Sequence, residues 1–172
     1  MHFLGACILI AVLNVAMVMD MLTGKIRNVL ILTGFVLGLF YQLWLHGIFG
    51  GLVFAGGALL PFIITFPLFA FRAVGAGDVK LLTVAGGFLG ISAMPACLLL
   101  TLLLGGGMAF LKMLFQKTLV PRFLYVADYV EQCLREKRLK PYGQPFEEEQ
   151  AVVHLSVPIL LAALICMIGG IV

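Results

Sequence analysis

Acidic side chains are nearly absent from the front of this chain. Only 8 of 172 residues are Asp or Glu, and the first 127 positions hold just Asp20 and Asp78. Cysteine is sparse and scattered: Cys7, Cys97, Cys133 and Cys166 form no Cys-x-x-Cys pair and no His/Cys ligand spacing. That excludes a disulfide framework and a structural zinc site, and they read as free thiols in apolar surroundings. No metal and no cofactor are expected. A basic leader is also missing, since only His2 precedes the first apolar run and no small-residue cleavage site follows. The N-terminus therefore reads as a retained first span rather than a signal peptide.

What fills the chain is apolar. It is 63% hydrophobic and 11% charged, with a mean hydropathy of +1.17. A soluble domain of this size could not bury that much apolar surface, so the bilayer is its solvent. Crossing about 30 Å of hydrocarbon takes roughly 20 apolar residues as a helix. Residues 3–19, 29–45, 52–71, 95–111 and 152–172 come close, and a shorter stretch covers 79–91. Each must be helical, because lipid offers unpaired backbone groups nothing. The expected fold class is all-α: a polytopic membrane helix bundle of about six transmembrane helices, read as a single domain over residues 1–172.

Charge sets the expected orientation. The 11 basic residues fall in three regions: Lys25 and Arg27, then Arg72 and Lys80, then the block from Lys112 to Lys140. The positive-inside rule makes these cytoplasmic and leaves both termini outside a multi-pass cell-membrane protein. Residues 79–91 reach only about 20 Å at 1.5 Å per residue. One long helix over 79–111 is the rival, but it would export the seven basic residues from Lys112 onward. Six crossings are therefore expected.

Glycine pairs (Gly56-Gly57, Gly86-Gly87) and the run Gly105-Gly106-Gly107 read as helix-packing signals. The polar segment 116–150, within an insert of about 112–150, places Phe123, Val126, Ala127, Val130, Cys133 and Leu134 at helical spacing. It reads as a cytoplasmic amphipathic helix on the membrane surface before the last span.

An ionisable side chain at membrane depth is costly, so it marks a candidate functional site and needs a partner. Under this topology Asp20 and Asp78 both lie at cytoplasmic ends of spans and are each other's obvious partner. Asp78 could simply cap the helix that follows it. Asp20 has no such explanation, because a helix C-terminus disfavours negative charge. Two carboxylates a few ångströms apart cannot both ionise, so the pair holds one proton near neutrality. One member can then act as general base on a water while the other polarises a carbonyl, which is aspartyl protease chemistry. Gly75 and Gly77 permit tight turning and close approach beside the pair. Lys80 either snorkels at a span end or tunes the acids and orients the substrate. Arg27 and Asn28 read as a topology anchor and a helix cap. His2, His46 and His154 lie far apart, and a local hydrogen bond is expected for His154.

These residues resemble the prepilin peptidases, membrane aspartyl proteases of the Gly-x-Gly-Asp type. The likeness rests on Asp20 followed by Thr23-Gly24-Lys25-Ile26-Arg27-Asn28, then Gly75-Ala76-Gly77-Asp78-Val79-Lys80-Leu81, and a last span entered through Ser156-Val157-Pro158. Arg27 stands where the family usually has proline. The resemblance implies type IV-like prepilins as substrates, cut on the cytoplasmic side between a short basic leader and an apolar helix. This chain lacks the paired Cys-x-x-Cys motifs of larger, methylating members. It thus resembles the compact peptidase-only branch serving tight-adherence (Flp-type) pili or pseudopilins. Its expected partners are such a prepilin and the lipid bilayer, with no nucleic acid. Two alternatives remain: an intramembrane protease of the presenilin or signal-peptide-peptidase kind, and a proton-coupled carrier.

Overall fold

A computed structural model describes residues 3–70, 74–115 and 154–169. All regular structure among them is helical: α1 (Phe3–Thr23), α2 (Asn28–His46), α3 (Phe49–Ala70), α4 (Ala76–Phe115) and α5 (Ser156–Ile168). The first four are long and apolar enough to cross a bilayer, and α5 is a shorter apolar helix. Large apolar side chains point outward, among them Trp44 at 83% and Ile48 at 92% exposure. Such a surface suits lipid and would aggregate in water. The molecule is a membrane protein.

The ends of α1 and α2 set up the site. The first helix runs one turn beyond the expected 3–19 and so takes Asp20 into its last turn. It stops at Gly24, whose φ of +63° needs a residue without Cβ. The Gly24 N–H donates to the Asp20 carbonyl at 2.8 Å, closing the helix as a left-handed C-cap. Arg27, not Asn28, occupies the N-cap position of α2, and it makes no side-chain cap bond. The expected capping role of Asn28 is therefore corrected.

The glycine pairs prove unequal. A Cβ on Gly57 would overlap the Gly86 carbonyl, and one on Gly86 would overlap the Gly57 carbonyl, so α3 and α4 cross backbone against backbone. Pro61 supplies no N–H to the Gly57 carbonyl one turn earlier, which leaves that oxygen turned toward Gly86. Gly87 is held against the Phe54 ring. By contrast, a Cβ on Gly56 would make only ordinary contact with Ile91, and among the described residues nothing lies within 4 Å of a Cβ on Gly106 or Gly107.

Residues 76–115 form one helical element broken at a single residue, Gly90 (φ 74°, ψ 175°). The connection expected around residues 92–95 is not there, because helical turns resume at Ile91 and run on through Pro95. The break is stabilised from α2. Buried Gln42 donates through Nε2 to the carbonyls of Gly87 (3.1 Å) and Phe88 (3.0 Å). These are oxygens that a helix end leaves unpaired. The part before the break, residues 76–89, is about 21 Å long.

Contacts fix the directions of the helices. Gly5 meets Tyr41 and Val12 meets Gly34, so α1 and α2 are antiparallel. Gly34 meets Val84 and Gly38 meets Phe88, so α2 and the first part of α4 run parallel. The core joins Leu9, Leu13 and Ala16 of α1 to Leu82 and Phe88 of α4 and Ile159 of α5. These helices form one unit through Leu104, together with the described residues from His154; Gly105–Phe115 belongs to a second unit. The predicted surface helix at 116–150 lies outside the described residues, as do His2, Arg72 and Cys133.

Candidate active site

The end of α1 and the starts of α2, α4 and α5 come together at one end of the unit. A cleft of ≈ 350 Å³ opens there, lined by Asp20, Lys25, Asn28, Gly75, Gly77, Asp78 and Lys80 among others. Asp20 is buried, at 8% exposure, and Asp78 is half-buried. The two acids share the cleft.

Asp78 is the third residue of α4, not its N-cap. Its carboxyl turns back toward Gly75, the residue just before the helix. That is the position of the acid in a capping box. Neither Gly75 nor Gly77 has a positive φ, so the turn expected here does not use the left-handed region. Close approach matters at Gly75, where a Cβ would sit 3.0 Å from Asp78 Oδ2. At Gly77 it would make ordinary 3.5 Å contacts with Ile26. Exposed Lys80 donates through Nζ to Asn28 Oδ1 at 2.9 Å, tying α4 to the start of α2.

Two residues without an assigned site role in the sequence reading reach Asp20 from the start of α5. The hydroxyl of fully buried Ser156 donates to Asp20 Oδ2 at 2.6 Å. Nδ1 of His154 lies 3.2 Å from the same oxygen, off the line of a hydrogen bond. His154 also makes a contact the sequence did not suggest, across 134 positions of chain (154 − 20). Asp20 also has company other than Asp78: the N-terminus of α5, with its partial positive charge, stands beside it. The only sequence signal was a serine two residues before Pro158 at a span start.

Residues 7–110, more than half of the chain, match the model of the type IV leader peptidase family. The chain belongs to the type IV leader peptidase family. It is therefore an aspartic peptidase, a hydrolase, and membership implies that it cleaves the leader peptides of prepilins. No curated protein and no solved structure was matched. In this peptidase the matched stretch contains Asp20, Gly75, Gly77, Asp78 and Lys80, and it ends before His154 and Ser156.

Proposed function

We propose that this peptidase removes the basic leader of type IV-like prepilins at the cytoplasmic membrane face, with Asp20 and Asp78 as a catalytic dyad. The observation that carries this reading is the cleft the two acids share at one end of the helices. Its neighbours Lys25 and Lys80, and Arg27 beside it in sequence, make that end basic, which supports a cytoplasmic position for it. The chain then crosses the membrane six times, with the break at Gly90 separating two crossings and the termini outside.

The chemistry follows from one proton shared by two carboxyls. The ionised acid takes a proton from a water, whose oxygen bonds to the scissile carbonyl carbon. The carbonyl oxygen takes the proton of the second acid. Collapse then breaks the C–N bond, the amine leaves with the proton held by the first acid, and a hydroxyl of the intermediate reprotonates the second. Gly75 and Gly77 leave room for an extended peptide, and Lys80 borders its path. The acids sit in a last and a first helical turn, which favours cutting at the membrane boundary over cutting inside an apolar stretch. Absence of paired Cys-x-x-Cys motifs supports a compact peptidase-only role for Flp-type prepilins or pseudopilins.

Asp20→Asn and Asp78→Asn test the dyad. Each is expected to lower leader removal by about 10²–10⁴-fold while the protein still inserts. Mass spectrometry of a co-expressed precursor with a glycine-ended basic leader reads the result. Processing retained in either variant refutes the dyad.

A further inference from the structure

Asp20 makes both of its side-chain contacts, among the described residues, through one oxygen. Ser156 Oγ donates to Oδ2 at 2.6 Å, and His154 Nδ1 stands 3.2 Å from that same Oδ2. Ser156 is fully buried and Asp20 nearly so, so water does not compete for this bond. Among the described residues no side chain anchors Asp78 in this way; its carboxyl turns back toward Gly75.

We propose that Ser156, assisted by His154, is a positioning residue that fixes Asp20 as the general base. Resting on the dyad reading above, this separates the two acids. With Oδ2 bonded to Ser156 and His154 standing beside it, Oδ1 of Asp20 is the atom that accepts the proton from the attacking water. Asp78 holds the shared proton and delivers it to the carbonyl oxygen. The anchor comes from α5, the last described helix, and so lies outside the matched residues 7–110. Without it the carboxyl at the end of α1 turns freely about its Cβ–Cγ bond, and the base samples orientations in which no oxygen faces the water.

The test uses full-length peptidase in detergent and a purified precursor with a basic, glycine-ended leader and an apolar helix. Ser156→Ala removes one oxygen and is expected to lower kcat by about 10- to 100-fold, the size of effect that misplacing a reacting group produces. KM should change less than about 3-fold, since the anchor touches no substrate. Ser156→Thr keeps the hydroxyl and should recover most of kcat. His154→Ala, at a half-exposed position, should lower kcat less, and its loss combined with Ser156→Ala should be less than multiplicative because both act on one oxygen. Three results overturn the inference: wild-type kcat in Ser156→Ala, a loss that appears in KM alone, or equal kcat loss in folded Ser156→Ala and Ser156→Thr. Asp20→Asn is measured alongside. Activity there removes the dyad itself, whereas an inactive Asp20→Asn beside an unaffected Ser156→Ala removes only the anchor.

Discussion

Gly57→Ala against Gly56→Ala weighs the α3–α4 crossing with two neighbouring residues. At Gly56 a new methyl would meet Ile91 Cδ1 at 3.7 Å, an ordinary contact. There the helix gains about 1 kcal/mol from replacing glycine by alanine. At Gly57 the methyl would overlap the Gly86 carbonyl, which is backbone and cannot rotate aside as a side chain would. Restoring van der Waals distance requires the two helices to part by about 1 Å. Overpacking of this kind costs about 3 kcal/mol at the upper end of its usual range, leaving a net loss of about 2 after the propensity gain. The two variants should therefore differ by about 3 kcal/mol, with Gly57→Ala the less stable. Denaturant titration of the purified protein in micelles, followed by helicity, measures this. Leader cleavage gives a second reading: Asp78 is eight residues before Gly86 (86 − 78) on the same helix, and a displacement of about 1 Å can cost up to 10²-fold in rate. A Gly57→Ala protein as stable as Gly56→Ala would refute the backbone-to-backbone crossing.

Further outcomes test other contacts. Gly75→Ala places a methyl 3.0 Å from Asp78 Oδ2 and should lower kcat about tenfold. Gly77→Ala meets only Ile26 at 3.5 Å and should leave stability within about 0.5 kcal/mol of the parent. Wild-type kcat in Gly75→Ala would show that the turn does not press on the acid. Cys97 and Cys166 are fully buried in the same core cluster. With Cys7 and Cys133 replaced by serine, a membrane-permeant oxidant should link them, giving a mobility shift on non-reducing gels that Cys97→Ala abolishes. No link at full oxidation would contradict the packing of α5 against α4.

The sequence was informative where one physical constraint acts locally. Long apolar runs and the bilayer's demand for paired backbone groups located α1, α2 and α3 to within a turn or so. The rarity of acids singled out Asp20 and Asp78, which the folded chain brings to one cleft. Legibility failed where partners are distant. Nothing near Ser156 in the sequence announces a bond to a residue 136 positions earlier. The uncharged stretch 92–95 reads as the boundary within α4, whereas the left-handed conformation falls on Gly90 and is stabilised by Gln42 of another helix. Likewise the glycine pairs looked alike in the sequence. Only the crossing point distinguishes Gly57 and Gly86 from Gly56.

The part of α4 that carries Asp78 is clasped to α2 at two points. Lys80 holds Asn28 near one end and Gln42 holds the Gly87 and Phe88 carbonyls near the other, with the clasps about 12 Å apart along the axis. Rocking this rod against its parallel neighbour would rupture one clasp or the other. One wall of the cleft is therefore splinted along its length, and a visiting polypeptide meets an acid whose height and tilt are already set before it arrives.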